Sequence, residues 1–160
     1  MQNNIDLEIL LRDMYESMSE LSIVLDTEHE ALASQDVEKL QTAATRKEVL
    51  SDRVEELETS RSTLLTAHGL DNSLKSMRQL IQQSSEYDEK ALFKIWNMVA
   101  NLVQECTAKN KLNGIIIENS RRHTNAALSV LHGFKSDNTE LYDAEGSTVP
   151  TKHNATIARA

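Results

Sequence analysis

Residues 7–32, LEILLRDMYESMSELSIVLDTEHEAL, carry apolar side chains at alternating steps of four and three residues. Glu28 interrupts this stripe once, and its other members are Leu7, Leu11, Met14, Met18, Leu21, Leu25 and Leu32. A heptad pattern of this kind aligns its members on one face of an α-helix that packs against other helices. The sequence therefore predicts a helix from Ile5 to Ala33, about 40 Å long given the rise of an α-helix.

A second helix is predicted after a short break. The residues from Ser34 to Asp36 offer capping groups, with Ser34 or Asp36 as N-cap, so the chain turns back on itself here. The stripe then resumes in the same register with Leu40, Ala43, Leu50, Val54, Leu57 and Leu64. Lys47 and Arg61 also occupy this seam, where their stems can cover apolar surface or their charges can pair with acids such as Glu28. His68 and Gly69 predict the end of the helix.

A third long helix follows a short amphipathic one. The short pattern consists of Leu74, Met77 and Ile81, and the polar run 82–85 predicts a kink or a loop. The long stripe continues through Leu92, Ile95 or Trp96, Val99, Leu102 or Val103, and Cys106. It turns polar at Asn110 and Asn113, and it is restored by Ile116 or Ile117, Leu128 and Leu131. Gly133 predicts the end of this helix.

Together these patterns predict an all-α fold. We expect an antiparallel, coiled-coil-like bundle of three main long helices over residues 1–132, followed by a flexible C-terminal recognition tail over residues 133–160. No proline occurs before Pro150, so none interrupts the helical part. The tail mixes three Lys or Arg with four Asp or Glu and lacks periodicity, which indicates disorder or transient helicity. Leu141 and Tyr142 stand out as its anchors.

Composition limits the classes of partner. The 160 residues carry a formal net charge of -8, which disfavours nucleic acid and anionic membranes, because both require clustered Lys and Arg. The apolar runs are far shorter than the ~20 residues needed to span a bilayer, and the start lacks the features of a secretory signal. The single cysteine, Cys106, cannot form an internal disulfide. These features predict a cytoplasmic protein without membrane insertion.

No pattern of reactive residues predicts an enzyme. Zinc motifs rich in cysteine, repeated Glu-x-x-His pairs of di-iron bundles and glycine-rich phosphate loops are all missing. We therefore expect no catalytic residue, no metal and no cofactor. The stretch from His132 to Ser136 is faintly similar to the His-x-x-Lys-Gly strip of histidine phosphotransfer bundles, but the final glycine is absent. His132 is better explained as a last-turn residue favoured by the helix dipole.

Several stretches together resemble one family. They are residues 25–40 with EHEAL (28–32) and DVEKL (36–40), residues 47–61, NKLNG (110–114) and LYDAEGST (141–148). In this order and spacing they resemble the FlgN-type flagellar export chaperones over nearly the whole chain. Members of that family are cytosolic type III export chaperones for the two hook-filament junction proteins, also called hook-associated proteins.

The resemblance implies partners and sites. Members bind the C-terminal helical segments of their substrates, prevent early polymerisation and deliver them to the export gate, so we expect FlgK-like and FlgL-like partners. The tyrosine of the family's Leu-Tyr-x-x-x-Gly motif is implicated in docking to the cytoplasmic domain of the export-gate protein FlhA, which here implies Leu141 and Tyr142. An incompletely filled bundle can also bind an amphipathic helix in a groove. We place the substrate surface late in the third helix and in the tail, with Ile116, Ile117, Leu128 and Leu131.

An alternative function is that of a structural or regulatory coiled-coil adaptor without secretion substrates, in which the helices self-associate and the tail is a tether. The oligomeric state and the use of one or both junction proteins stay open at this point. So does the role of the polar seam, which can fix helix register or line a groove; its members are Lys47, Arg61, Asn110 and Asn113.

Overall fold

A computed structural model describes residues 6–84 and 88–137 of the chain. These residues form four helices: α1 (Leu7–Ser34), α2 (Val37–Ala67), α3 (Leu74–Gln83) and α4 (Glu89–Asp137). Three long helices with a short amphipathic one between the second and third confirm the predicted all-α class. The chain divides into two compact units, residues 1–117 and 118–160. The predicted tail lies almost entirely outside the described residues.

The helix ends follow from local capping chemistry. Asp36 accepts a hydrogen bond from the Lys39 N–H at 3.0 Å, so Asp36, one of the two predicted candidates, is the N-cap of the second helix. Before it, Gln35 adopts the left-handed conformation with φ of 55°, and the Asp36 N–H donates to the Ala31 carbonyl at 3.0 Å. Gly69, with φ of 69°, ends the second helix as predicted. Both turns are C-terminal motifs that favour glycine at the left-handed position.

Within residues 1–117, the cross-helix contacts define the topology. Asp13 pairs with Arg53 and Glu28 with Lys47, so α1 and α2 run antiparallel. The Cys106 thiol donates to the Met18 carbonyl at 3.6 Å. Farther along both helices, the Asn113 side chain donates to the Leu25 carbonyl. Residue numbers in α1 and α4 therefore rise together from one contact to the next, so α4 runs parallel to α1 and antiparallel to α2.

The apolar core of this unit follows the predicted stripes. Its largest cluster is formed by Leu7, Leu10, Leu11, Met14, Leu57, Leu65, Met77, Leu80, Ile81, Leu92, Trp96 and Val99. A second cluster joins Met18, Leu25 and Cys106, and a third joins Val24, Ala43 and Leu50. Burial of a large apolar side chain contributes about 1.5–3 kcal/mol each, so these clusters supply the main stabilisation of the helix packing.

Three details differ from the sequence-based expectations. Leu74, predicted to belong to an apolar stripe, is 62% exposed. Of Leu102 and Val103, the two alternatives for one stripe position, Leu102 is half-buried and Val103 is 45% exposed. Helix α4 also continues through Gly133 to Asp137. Gly133 has ordinary helical backbone and open space around it, and a mid-helix glycine costs only about 1 kcal/mol relative to alanine. Such a cost does not end a helix, so the predicted stop at Gly133 is wrong.

Candidate functional site

A buried polar junction joins three helices of the first unit. Glu28 and Asn113 are only 3% and 1% exposed. Lys47 Nζ donates to both Glu28 carboxylate oxygens at 2.9 and 3.1 Å, and Asn113 Nδ2 donates to Glu28 Oε2 at 2.9 Å. Asn113 Nδ2 also donates to the Leu25 carbonyl, and its Oδ1 lies 3.0 Å from His29 Nδ1. Of the two roles considered for Lys47, the structure shows the pairing with Glu28.

The junction fixes the relative register of its helices. Glu28 comes from α1, Lys47 from α2 and Asn113 from α4. A shift of α4 by one residue would leave the buried carboxylate and the Leu25 carbonyl without the Asn113 amide. Unsatisfied buried polar groups are costly. The polar residues of the seam therefore select one arrangement of the helices, and Asn113 belongs to the core and not to a binding surface.

Arg61 occupies the core at a different level of the same unit. Its Nε and Nη2 donate to Glu58, Nη2 also donates to Asn72, and its guanidinium lies 5.9 Å from the Trp96 ring centroid. Only Nη1 is buried without a hydrogen-bond partner. The hydrogen bond from Arg61 holds the pKa of Glu58 below its ordinary value. Arg61 is thus a structural residue that ties α2 to the turn before α3.

Charged and polar side chains line the edge where α1 meets α4, next to the Cys106 thiol. Lys109 donates to Ser22, Asp26 and Glu105 at 2.7–2.8 Å. Hydrogen bonds from Lys109 and Ser22 lower the pKa of Glu105. Burial raises the pKa of the neighbouring Cys106 thiol, so it stays protonated and is a poor nucleophile. This agrees with the predicted role of Cys106 as a small buried hydrophobe.

An open groove lies between α2 and α4, with α1 as its floor. It has a volume of about 410 Å³ and is lined by Met18, Leu21, Leu25, Lys47, Ser51, Val54, Val103, Cys106, Thr107, Asn110 and Lys111. A second hollow of about 190 Å³ shares Met18, Val54 and Val103 and extends to Met14, Leu57 and Glu58. We call the two together the α2–α4 groove. Its floor is apolar and adaptable, because Met14 and Met18 are flexible thioethers.

The predicted substrate-binding residues lie in both units. In the first unit, Ile116 is half-buried and Ile117 is 43% exposed. In the second, Leu128 and Leu131 are 47% and 63% exposed, and every side chain from residue 119 to 133 is exposed. Leu128 and Leu131 stand three residues apart and so share a helix face. Leu141 and Tyr142 lie outside the described residues.

His132 is not a last-turn residue, because α4 continues five residues beyond it to Asp137. Its side chain is exposed. Over residues 6–84 and 88–137, no group of His, Cys, Asp and Glu side chains is arranged to hold a metal ion. In the same residues, no helix is both long and apolar enough to cross a membrane.

The sequence predicted a groove in an incompletely filled bundle but did not predict that it lies between α2 and α4. The stripe left Leu102 and Val103 as alternatives for one buried position, and the structure half-buries Leu102 and exposes Val103 on the groove wall. The sequence signal that could have indicated the groove is the set of polar residues on its α2 and α4 walls, Ser51, Thr107 and Asn110. Asn110 was left open between a register role and a groove role, and it lines the groove.

Comparison with known proteins identifies the family. The model of the family described as FlgN protein matches residues 1–150, whereas no curated protein matches the chain. A crystal structure of a flagella synthesis protein FlgN from Pseudomonas aeruginosa is similar to this chain with a TM-score of 0.65 and 21% sequence identity, over 82% of this chain and 99% of the other. At that identity the structural likeness shows a common fold. The family match spans most of the sequence, and the chain therefore belongs to the FlgN family of flagellum-associated proteins.

Proposed function

We propose that this protein is a cytoplasmic flagellar type III export chaperone without catalytic activity. It binds the C-terminal helical segments of hook-filament junction proteins, FlgK-like and FlgL-like, and keeps them from assembling early. It then delivers them to the export gate. Membership of the FlgN family supports the flagellar role, and the substrates and the gate are the proposed part.

The observation that carries the proposal is the exposed apolar surface on the last part of α4. Leu128 and Leu131 are both about half exposed or more, on a stretch whose side chains from 119 to 133 are all exposed. A helix without buried side chains gains little from tertiary packing, which normally supplies most helical stability. An amphipathic substrate helix that packs on this face would bury apolar surface of both partners.

Delivery to the gate is assigned to the tail. Leu141 and Tyr142 are the large apolar and aromatic residues of the stretch 135–148, whose other residues are polar apart from Ala144 and Gly146. Tyrosine brings a large contact area with few rotatable bonds, as is common in binding hot spots. We assign these two residues to docking on the cytoplasmic domain of FlhA, while the bundle holds the substrate.

Calorimetric titration of the full chain with the C-terminal segments of the two junction proteins tests the function. Saturable binding near one to one, at micromolar or better affinity, is the expected result. The variant Leu128→Asp/Leu131→Asp should bind at least about tenfold more weakly, because charges on an apolar contact face must be desolvated. The matched control Val130→Asp changes an exposed residue on another helix face and should bind like the wild type.

Two other results of these titrations would change the proposal. If neither segment binds and the purified chain forms a stable homo-oligomer, the protein is a structural or regulatory coiled-coil adaptor. If both segments bind and the Leu128→Asp/Leu131→Asp variant is unchanged, the function stands and the substrate surface lies elsewhere.

A further inference from the structure

We infer that the face of α4 assigned to substrate binding selects an amphipathic helix with acidic side chains beside its apolar residues, and that Arg121 and Arg122 bind those acids. The inference deepens the proposed function and rests on it, because it states which class of helix the Leu128 and Leu131 surface accepts. All residues concerned belong to the second unit, residues 118–160.

The exposed stretch of α4 differs in charge from the rest of the chain. The whole chain has 25 acidic residues against 17 Lys and Arg. Residues 119–133, whose side chains are all exposed, contain two arginines and two histidines and no Asp or Glu. Partners with complementary charge are steered to such a patch. The excess of acids elsewhere repels an acidic helix, so the distribution of charge itself indicates where that helix binds.

Two arginines share one carboxylate at the start of this stretch. Arg121 donates to Glu118 through Nε and Nη2 at 3.0 Å, and Arg122 donates to Glu118 through Nε at 2.9 Å. Within residues 6–84 and 88–137, Glu118 is the only acid that pairs with either arginine. One carboxylate cannot neutralise two guanidinium groups. The two arginine side chains are 64% and 72% exposed, and exposed ion pairs are weak, so the carboxylate of a partner can replace Glu118.

Arg121 lies on the same side of α4 as the apolar residues. Seven residues, or about two helical turns, separate Arg121 from Leu128, so both stand on one face at a distance of about 10 Å along the axis. Leu131 extends this face by nearly one more turn. A helix that lies along the face contacts the two leucines with apolar residues and Arg121 with an acid. Arginine suits this role because its planar guanidinium binds a carboxylate through two hydrogen bonds.

An anionic membrane surface is the other kind of partner that binds a basic amphipathic helix. Two observations favour a protein helix. Residues 119–133 contain two arginines and no lysine, whereas helices that lie on membranes are rich in both. The chain also has a formal net charge of -8, which an anionic surface repels. Vesicle binding is therefore measured as the competing outcome.

Peptides that differ only in charge test the inference on the full chain. The acidic probe is a stapled helix of about 18 residues, or five turns, with two leucines three residues apart at its centre and a glutamate two turns away on each side. The basic probe has lysines in place of the glutamates, and the neutral probe has glutamines. In calorimetric titrations at low salt, the acidic probe should bind about tenfold more tightly than the basic probe. Added salt should reduce the difference.

Matched variants assign this preference to the arginines. Arg121→Gln/Arg122→Gln should bind all three probes with nearly equal affinity, and Arg121→Glu/Arg122→Glu should prefer the basic probe. The control Lys90→Glu/Lys94→Glu makes the same change of charge near the start of α4 and should still prefer the acidic probe. All four side chains are exposed, so the variants should retain the helical circular dichroism of the wild type.

Glu118 provides an independent test, because it competes with the partner for the two arginines. Glu118→Gln should strengthen binding of the acidic probe about threefold and leave the affinity for the neutral probe unchanged. The control Glu48→Gln removes the same charge from an exposed position of α2 and should have no such effect. Leu128→Asp/Leu131→Asp should weaken all three probes, because all three contact the same leucines.

Three results would overturn the inference. The first is the absence of probe binding to the wild-type chain. The second is equal affinity of the wild-type chain for the acidic and basic probes; if the chain then binds phosphatidylglycerol vesicles and Arg121→Gln/Arg122→Gln abolishes that binding, the arginines serve a membrane surface. The third is a preference for the acidic probe that Arg121→Gln/Arg122→Gln leaves unchanged.

Parallel titrations with the junction-protein segments separate failure of the inference from failure of the proposed function. Segment binding that Arg121→Gln/Arg122→Gln leaves unchanged rejects the role of the arginines and keeps the proposed function. A wild-type chain that selects the acidic probe but binds neither segment rejects the proposed function and keeps the charge selectivity of this face.

Discussion

Glu28 and Lys47 form an ion pair at 2.9 Å in which the acid is almost wholly buried, with 4% of the Glu28 side chain exposed against 27% of the Lys47 side chain. Desolvation of two charges can offset their attraction, so such a pair is weak evidence of stabilisation relative to apolar residues. Its value here is specificity, because it permits only one register between α1 and α2.

Removal of one partner should therefore cost more than removal of both. Lys47→Met leaves the Glu28 carboxylate buried with Asn113 as its remaining donor, and it should lower the free energy of unfolding by about 2–3 kcal/mol. The double variant Glu28→Met/Lys47→Met should recover most of that loss. Urea unfolding followed by circular dichroism measures both. A double variant less stable than Lys47→Met would mean that the pair itself stabilises the bundle.

Asn113 and Asn110 look alike in the sequence and should respond differently to mutation. Asn113 is buried and donates to Glu28 and the Leu25 carbonyl, so Asn113→Ala should cost about 2 kcal/mol of unfolding free energy. Asn110 is exposed in the groove, and Asn110→Ala should change stability by less than about 0.5 kcal/mol. Equal effects in thermal and urea melts would refute a register role for Asn113.

The turn between α1 and α2 contains backbone strain at Gln35 that a glycine at this position would relieve. Gln35 adopts φ of 55°, a conformation that costs residues with a Cβ about 1 kcal/mol and glycine almost nothing. Gln35→Gly should raise the unfolding free energy by about 0.5–1 kcal/mol. Gly69→Ala is the reciprocal control, because Gly69 has φ of 69° and open space around its Cα, and it should lower stability by a similar amount. Destabilisation by Gln35→Gly would show that the Gln35 side chain contributes to the turn.

Acid should destabilise the bundle through carboxylates held by hydrogen bonds. Arg61 lowers the pKa of Glu58 in the folded state, so the folded state binds this proton less readily than the unfolded chain. The stabilisation is present above the ordinary pKa of 4.5 and is lost as the pH falls through the lowered value. Glu105 and Asp71 shift in the same direction through Lys109 and through Ser76 and Ser73.

Glu58→Gln isolates this effect. The variant should be about 1 kcal/mol less stable than the wild type at pH 7, because Arg61 loses its charged acceptor, and the difference should shrink towards pH 3. Glu48→Gln, which changes an exposed residue of the same helix, is the control and should have nearly the wild-type stability at pH 7. Thermal melts across this range test the prediction, and a constant difference between Glu58→Gln and the wild type would assign the loss to packing.

The sequence predicted what depends on local periodicity. The stripe from Leu7 to Leu32 marked the packed face of α1, and its one acid, Glu28, pairs with the basic seam residue Lys47. Capping at Asp36 and Gly69 was predictable because one or two side chains decide it. These features require no knowledge of distances between helices.

What could not be predicted depends on how far apart the helices lie. A heptad position faces a neighbour, but it is buried only where that neighbour is close, which Val103 shows by its exposure on the groove wall. The end of α4 was missed for a different reason. Gly133 weakens a helix by an amount that the residues around it can overcome, so a single glycine does not define a boundary. The boundary between bundle and tail stays a prediction.

Tyr142 provides the last test, because it separates gate docking from folding. Tyr142→Ala should weaken binding of the chaperone–substrate complex to the FlhA cytoplasmic domain by at least about tenfold, as expected for an aromatic hot spot. It should leave substrate affinity and the melting temperature unchanged. Tyr15, which packs against the core, is the control, since Tyr15→Ala should lower the melting temperature. Titration and thermal melts of both variants distinguish gate docking from folding. If the melting temperature of Tyr142→Ala falls like that of Tyr15→Ala, Tyr142 belongs to the bundle and the docking assignment is wrong.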